Sequence, residues 1–316
     1  MTLRERVAGL GSGGVASMAA ALVLLLVAVF MPPLEVPGET YDYIMVFDIS
    51  QSMNVEDYEL DGKPVNRLSF AKAAARNAMR SLPCGSRVGW GIFTEYRTLL
   101  LLDPVEVCEN YGDLVASLEQ IDGRMRWGNS SEISKGVFWS MRAIKDAAPA
   151  SDRAALVFFT DGQEAPPIDP KYPPRMFEDL KAGEVQGWIV GTGGDTPRRI
   201  PRTDEEGRRI GYWRINEVLQ RRGEPTPANP TGRPMEHLSS LREGHLESLA
   251  QHTGLGYARL ETAASLASLL QDPRLSHRQL ARTEVFWLPA STALLLLVFR
   301  FLPPLRPSLG QRRGRN

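Results

Sequence analysis

Residues 44–53 read Ile-Met-Val-Phe-Asp-Ile-Ser-Gln-Ser-Met, and this stretch decides the fold. A run of apolar residues is typical of a strand that is buried on both faces. It ends in one carboxylate and two hydroxyls at alternate positions, Asp48, Ser50 and Ser52. Hard divalent cations such as Mg2+ and Ca2+ prefer oxygen ligands. One carboxylate and two neutral hydroxyls would leave such an ion able to accept an acidic group from another molecule.

Two later segments have side chains of the same chemical kind. Residues 155–162 read Ala-Leu-Val-Phe-Phe-Thr-Asp-Gly, which is a second apolar strand followed by Asp161. Residues 128–136 read Gly-Asn-Ser-Ser-Glu-Ile-Ser-Lys-Gly and open a predicted helix. Taken alone, an Asp-x-Ser-x-Ser segment is often only a helix cap, and Thr-Asp-Gly is often only a turn. The presence of all three segments in one chain favours a metal site.

The three segments resemble those of the von Willebrand factor A (vWA) family, and they follow the family's order. The resemblance spans about residues 42–271. It implies a metal-ion-dependent adhesion site (MIDAS) that holds a divalent cation, with Mg2+ first and Ca2+ or Mn2+ as alternatives. A vWA fold that has lost its metal is the other interpretation. The implied ligands are the side chains of Asp48, Ser50, Ser52, Ser131 and Asp161.

One of these positions departs from the family pattern. The family usually has a threonine in Gly-Thr-x-Ile-x-x-Gly at the start of this helix. Alignment on Ile133 and Gly136 places Ser131 at the threonine, and Ser130 is the alternative. Either serine keeps a hydroxyl, so the oxygen ligand set is preserved.

The apolar periodicity predicts an α/β fold with a doubly wound (Rossmann-like) sheet. The family resemblance implies a vWA sheet with the metal site at the carboxyl edge of its strands. Residues 192–236 interrupt the alternation with a segment rich in Pro, Arg and Gly, which is longer than ordinary loops. We expect a hairpin in it, Arg199–Pro201 with Arg209–Trp213, around residues 205–207. Strands are predicted at 43–48, 88–93, 98–102, 156–160, 185–191 and 256–260, and helices at 67–82, 111–121, 133–147, 245–252 and 263–270.

The two ends of the chain carry apolar segments. Residues 15–33 and 284–302 are predicted to be transmembrane helices, and a cleaved signal peptide is the alternative for the first. Basic residues lie outside both segments, in residues 1–14 and in the arginine-rich tail 303–316. By the positive-inside rule both ends are then cytoplasmic. The sequence thus predicts a protein of the bacterial inner membrane whose central domain is periplasmic.

The chain has two cysteines, Cys84 and Cys108. In a vWA-like sheet the second and third strands form a hairpin, so the start of one and the end of the other share an edge. Both cysteines would lie near that edge, and an oxidising compartment permits a disulfide between them. Two unpaired buried thiols are the alternative.

Composition, residue spacing and the lack of certain motifs argue against several classes of function. The chain has 37 basic and 37 acidic residues, which argues against nucleic acid as a partner. Its four histidines lack the spacing of zinc ligands, and no phosphate-binding loop or nucleophile elbow is present. We therefore expect a binding protein and not an enzyme, with no catalytic residues.

Four segments resemble a narrower group, the membrane-anchored bacterial vWA proteins encoded beside MoxR-type ATPases, which include the Bat proteins. Residues 48–54, 62–68, 81–85 and 158–166 are most similar to accessory proteins of periplasmic quinoprotein methanol dehydrogenase. This resemblance implies a role in maturation of the dehydrogenase, by helping calcium to enter its site.

The implied partner is a protein that offers an acidic residue to the metal. Other membrane accessory proteins and a MoxR-type ATPase are further implied partners. The alternatives are a Bat-type envelope-stress or adhesion module and a membrane scaffold with a vestigial metal site. We expect Asp48→Ala or Asp161→Ala to abolish partner binding and to leave the fold intact.

Overall fold

Six strands form the central sheet in a computed structural model of the chain, which describes residues 12–147, 153–169, 171–220, 232, 234–283 and 285–301. The strands are β2 (Asp42–Asp48), β5 (Arg87–Thr94), β6 (Arg97–Glu106), β7 (Ala155–Thr160), β8 (Gly187–Gly191) and β13 (Gly256–Arg259). Their order in the sheet is β13-β8-β7-β2-β5-β6, and all neighbours are parallel except β5 and β6, which form an antiparallel hairpin. The predicted α/β fold with a doubly wound sheet is confirmed.

The direction in which strands are added reverses at β2. The chain passes from β2 to β5 and β6 on one side, and then returns to place β7 and β8 on the other. In open α/β sheets, ligands bind at the carboxyl ends of the strands where the order reverses. Here those ends are Asp48 on β2 and Thr160 on β7, which lie on neighbouring strands in register.

Helices cover both faces of the sheet, because successive side chains of a buried strand point to opposite faces. Met45 and Phe47 pack into one core, and Ile44 and Val46 pack into the other. The helices of the first core are α2 (Arg67–Met79), α3 (Tyr111–Gln120) and α6 (Ser265–Leu269), and those of the second are α4 (Ile133–Asp146) and α5 (Glu243–Thr253).

Several short strands were not predicted. Strands β3 (Glu56–Leu60) and β4 (Lys63–Asn66) form a hairpin directly before α2, and β1 (Leu34–Thr40) pairs with β14 (His277–Thr283). These strands are exposed or only partly buried over most of their length, so no continuous apolar run marks them.

The long insertion contains the predicted hairpin, with a shifted first strand. Strand β10 (Pro201–Thr203) pairs with β11 (Arg209–Tyr212), so the strand begins at Pro201 and does not end there. The Asp204 N–H donates to the Arg208 carbonyl at 3.0 Å, so the turn spans residues 204–208. Residues 201–203 therefore pair as a strand and are not part of the turn. At the two ends of the insertion, β9 (Arg198–Arg199) pairs with β12 (Leu238–Ser239).

The chain divides into two units, Pro37–Gln279 and a second unit, Met1–Val36 with Leu280–Asn316. The second unit contains helices α1 (Ser12–Phe30) and α7 (Trp287–Phe301), which pack against each other. Within the described residues, no helix combines the length and the apolar character needed to cross a membrane. The predicted spans at 15–33 and 284–302 therefore stay predictions. The basic ends 1–11 and 302–316 lie outside the described residues.

Cys84 and Cys108 form a disulfide. It joins the loop after α2 to the residues that follow β6. The structure thus has the pair that the sequence suggested, and not two free thiols.

Candidate metal centre

Asp48 is fully buried at the carboxyl end of β2, and among the described residues only neutral groups donate hydrogen bonds to its carboxylate. The Ser50 N–H donates to Oδ1 at 2.8 Å, and the Thr160 hydroxyl donates to Oδ2 at 2.7 Å. Burial, with the nearby Asp161 carboxylate adding to it, raises the pKa of Asp48 to about 7, against the opposing effect of these hydrogen bonds. When Asp48 is ionised, its negative charge is balanced by direct contact with no cation among the described residues.

Three buried hydroxyls share one cavity beyond Asp48. The Ser50 and Ser52 hydroxyls lie 3.2 Å apart, and Ser131 lines the same cavity. The Ser131 hydroxyl is buried and has no hydrogen-bond partner within the described residues. Buried polar atoms are almost always paired, so an orphaned hydroxyl calls for an explanation such as a bound ion.

Backbone contacts fix the position of Ser131. Its N–H donates to the Ala165 carbonyl at 2.6 Å, and the Ala165 N–H donates back to the Ser131 carbonyl at 2.7 Å. The motif glycine Gly136 has a packing role, because a Cβ there would lie 2.2 Å from the ring of Phe93. The close approach of α4 to β5 thus brings the serine loop to the edge of the sheet.

Asp161 differs from Asp48 because a buried arginine binds its carboxylate. Arg67 Nη1 donates to Asp161 Oδ2 at 2.6 Å, and the Ser239 hydroxyl donates to the same oxygen at 2.5 Å. The Gln163 N–H donates to Oδ1 at 3.0 Å. All three of Arg67, Asp161 and Ser239 are fully buried.

Arg67 is held from its other side by Asp57 of the β3–β4 hairpin. Its Nε and Nη2 donate to the Asp57 carboxylate at 2.7–3.1 Å. Burial lowers the pKa of Arg67, but the charges of Asp161 and Asp57 outweigh it and leave the pKa above its ordinary value. The Gly194 N–H also donates to Asp57, at 2.9 Å. The turn that contains Gly193 and Gly194 resembles a phosphate-binding loop in sequence, but in the structure it packs against Arg67 and Asp57.

The cavity has a volume of about 230 Å3 and is lined by polar and apolar side chains. The polar lining includes the three site serines with Gln163, Asn129, Glu217 and Glu236. The apolar lining consists of Ala165, Pro166, Ile200, Trp213, Val218 and Leu219.

Two glutamines tie the insertion to the loops that carry Ser50 and Asp161. Gln51 lies between Ser50 and Ser52, and its Oε1 accepts from the Thr203 N–H at 3.0 Å. Gln163 follows Asp161, and its Nε2 donates to Glu236 at 2.9 Å. The insertion therefore forms a fixed wall of the cavity within the described residues.

The arrangement fits a small hard cation. Asp48, Ser50, Ser52 and Ser131 offer one carboxylate and three hydroxyl oxygens at one buried edge, and the orphaned Ser131 hydroxyl lacks any other partner there. Of the five predicted residues, Asp161 lies at the same edge, but its Oδ2 is already bound to Arg67.

Sequence reasoning missed Arg67, Asp57 and Ser239. One signal was present, because Arg67 is the first residue of α2 after the cap Asn66. A cation is disfavoured at the positive end of a helix dipole, so an arginine there indicates a buried anionic partner. Ser239 lies 78 residues from Asp161 in the chain, and nothing local marks it.

Residues 43–163 match the sequence profile of the von Willebrand factor type A (vWA) domain, which confirms the predicted resemblance to that family. A UPF0353 protein of Mycobacterium sp. (strain KMS) is 26% identical over 290 residues, which cover 88% of this chain and 77% of that protein. A UPF0353 protein of Mycobacterium marinum (strain ATCC BAA-535 / M) is 24% identical over 298 residues, 90% of this chain and 78% of that protein.

Two solved structures have regions similar to this chain. One is an aerotolerance-related membrane protein from Bacteroides fragilis NCTC 9343, with 17% identity and a TM-score of 0.48, over 73% of this chain and 96% of that one. The other is the conserved hypothetical protein BatB from Bacteroides thetaiotaomicron, with 19% identity and a TM-score of 0.48, over 72% of this chain and 94% of that one.

Proposed function

We propose that this chain binds a divalent cation, Mg2+ first and Ca2+ or Mn2+ as alternatives, and through it an acidic residue of a partner protein. Asp48, Ser50, Ser52 and Ser131 would hold the ion. Because one carboxylate neutralises only half of the ion's charge, the ion would supply an electrostatic anchor for a carboxylate that enters through the cavity. The chain would act by binding and not by catalysis.

The orphaned Ser131 hydroxyl is the observation that carries this proposal. A buried hydroxyl without a partner costs stability, about 1–3 kcal/mol for a group of this kind. Its neighbours in the cavity are the hydroxyls of Ser50 and Ser52, which are also oxygen ligands. A cation would give all three hydroxyls a common partner.

Calorimetry on the full-length chain tests cation binding. We expect Mg2+, Ca2+ or Mn2+ to show one saturable event that Asp48→Ala abolishes. Asp122→Ala is the matched control, since Asp122 pairs with Arg124 at 2.7 Å in an exposed ion pair. Wild-type protein that binds no metal at millimolar concentration would contradict the proposal.

Substitution of two buried serines at the start of α4 distinguishes an effect on metal binding from an effect on stability. Ser131→Ala should weaken metal binding about tenfold or more and leave the stability of the metal-free protein unchanged or higher. Ser134 is also buried, but its hydroxyl donates to Glu164 Oε1 at 2.7 Å. Ser134→Ala should therefore lower stability by about 1 kcal/mol and keep the metal affinity. Equal effects of the two variants on metal affinity would argue against Ser131 as a ligand.

We further propose an envelope setting for this site. The segments that resemble methanol dehydrogenase accessory proteins look most like MxaL, which suggests maturation of a periplasmic quinoprotein methanol dehydrogenase by calcium insertion. A periplasmic central domain agrees with the Cys84–Cys108 disulfide, because such bonds persist in oxidising compartments. The apolar and basic ends of the sequence suggest the inner membrane, with both termini cytoplasmic.

Calcium content tests this setting. In cells that make both proteins, methanol dehydrogenase should contain less calcium when the chain carries Asp48→Ala than when it carries Asp122→Ala. Full calcium content in the Asp48→Ala strain would contradict the maturation role and would favour a Bat-type module that acts on another envelope complex.

A further inference from the structure

The insertion carries a basic surface next to the metal cavity. Residues 198–217 contain six arginines against four acidic residues, although the whole chain has no net charge. We use the name arginine face for Arg199, Arg202, Arg209 and Arg214 together with the rings of Tyr212 and Trp213. Arg199, Arg209, Arg214 and Tyr212 are exposed, and Arg202 is half-buried.

Aromatic stacking holds three of these four arginines in place. Arg209 lies over the Tyr212 ring at 4.3 Å and Arg199 at 5.8 Å, while Arg202 lies over the Trp213 ring at 4.8 Å. A guanidinium that stacks on a ring keeps the N–H groups of its edge free to pair with a carboxylate. The stacking also covers ring faces that would otherwise be free to enter a lipid surface.

Among the described residues, most of this charge has no ion-pair partner. Arg202 pairs with Glu217 at 3.2 Å. Within the described residues, no carboxylate lies within 4.0 Å of the guanidinium groups of Arg199, Arg209 and Arg214. Unpaired stacked arginines are typical of surfaces that bind carboxylates or phosphates.

The arginine face is continuous with the metal cavity. Trp213 and Glu217 line the metal cavity and also a second cavity of about 640 Å3, which Arg199, Arg202 and Arg214 line. The bond between Gln51 and Thr203 fixes the hairpin to the metal-site loop. A ligand that places one carboxylate at the cation can therefore extend directly onto the basic surface.

We propose that the arginine face binds an acidic segment of the partner protein, with several Asp or Glu residues beside the one that reaches the metal. This inference rests on the proposed function for the identity of the partner, but the surface itself needs no metal. The segment would be recognised by carboxylate pairing with Arg199, Arg209 and Arg214, and its binding would weaken as salt concentration rises.

The test uses a fluorescein-labelled hexaglutamate peptide and the full-length chain in EDTA, so that the metal site does not contribute. Fluorescence anisotropy should show saturable binding that Arg199→Gln/Arg209→Gln weakens about tenfold, since each exposed pair contributes up to about 1 kcal/mol. The matched control is Arg80→Gln/Arg274→Gln, two arginines outside the insertion that also stack on rings, those of Tyr111 and Trp188. This control should bind the peptide like the wild type.

Three results would overturn the proposal. The first is no binding of hexaglutamate by the wild type at low salt. The second is an equal loss in the control variant, which would show non-specific attraction. The third is binding to phosphatidylglycerol vesicles, lost in Arg199→Gln/Arg209→Gln, without any peptide binding, which would make this a membrane-contacting surface.

The design separates this inference from the proposed function. Peptide binding in EDTA, together with no metal binding in calorimetry, would support the arginine face while contradicting the metal site. Metal binding without peptide binding would support the metal site while contradicting the arginine face.

Discussion

Asp48 and Asp161 are both fully buried carboxylates at the carboxyl edge of neighbouring strands, but their surroundings differ. Asp48 accepts hydrogen bonds from the Ser50 N–H and the Thr160 hydroxyl, which are neutral. Asp161 accepts a charged bond from Arg67 at 2.6 Å and a neutral one from Ser239. Asp161 is thus neutralised by a cation of the chain itself, whereas Asp48 is not.

Because their partners differ, the two carboxylates have different roles. Arg67 connects Asp161 to Asp57 on the β3–β4 hairpin, and Ser239 connects it to the end of the insertion. Asp161 therefore holds together the loops that surround the cavity. Asp48 has the unbalanced charge and the neighbouring hydroxyls, so it is the carboxylate that would bind a cation directly.

Removal of Asp161 tests its structural role and should have the largest effect. Asp161→Ala would leave Arg67 buried with one of its two carboxylates missing, and breaking a buried ion pair in this way costs about 3–5 kcal/mol. Chemical denaturation in EDTA would measure this loss. The structure thus revises the expectation that Asp161→Ala leaves the fold intact.

Asp48→Asn is the matched comparison, because it removes a buried charge that has no cationic partner. The metal-free variant should be as stable as the wild type or more stable near pH 8. If Asp48→Asn and Asp161→Ala lower stability by the same amount at that pH, the distinction between the two carboxylates is wrong.

The pH dependence of the free energy of unfolding should further distinguish Asp48 from Asp161. In the folded protein the pKa of Asp48 is raised to about 7 from its ordinary 3.8, so the folded state binds this proton more tightly than the unfolded state. The stabilisation that protonated Asp48 contributes to the free energy of unfolding is then fully present below about pH 4. It is lost as pH rises to about 7, with a slope of about 1.4 kcal/mol per pH unit.

Denaturation of the metal-free wild type and Asp48→Asn between pH 4 and pH 8 measures this contribution by difference. The subtraction is needed because burial also raises the pKa of Asp42, which both proteins share. Saturating Mg2+ should stabilise the wild type more at pH 8 than at pH 5, since the ion must displace the Asp48 proton. Parallel pH curves for the two proteins would show that Asp48 does not titrate in this range.

The central sheet was predictable because its signals are local. The apolar runs before Asp48 and Asp161 mark strands that are buried on both faces, and such runs form only in the middle of a covered sheet. The β3–β4 hairpin and the pair β1–β14 were missed because they are exposed or half-buried, and their strands lack such a run. In the insertion, the turn at Gly207 was recognised, but the pairing of its strands depends on where Asp204 closes the turn.

The position of the candidate site residues at one edge of the sheet was predictable for a related reason, since they follow directly from the strand ends and the start of α4. The partner of Asp161 was not, because Arg67 comes from a different element and reaches the site only through tertiary packing. The resemblance to the family covered the segment that contains Arg67 and gave it no role. The structure supplies that role.

The smallest predicted effect concerns Ser239, the neutral donor to Asp161. Ser239→Ala removes one hydrogen bond to Asp161 and one from Arg67 Nη1 at 2.6 Å, but leaves both ion pairs of Arg67 in place. Stability should fall by about 1 kcal/mol, and metal affinity should change less than it does in Ser131→Ala. A loss as large as that of Asp161→Ala would mean that hydrogen bonding, and not charge, holds the loops around the cavity.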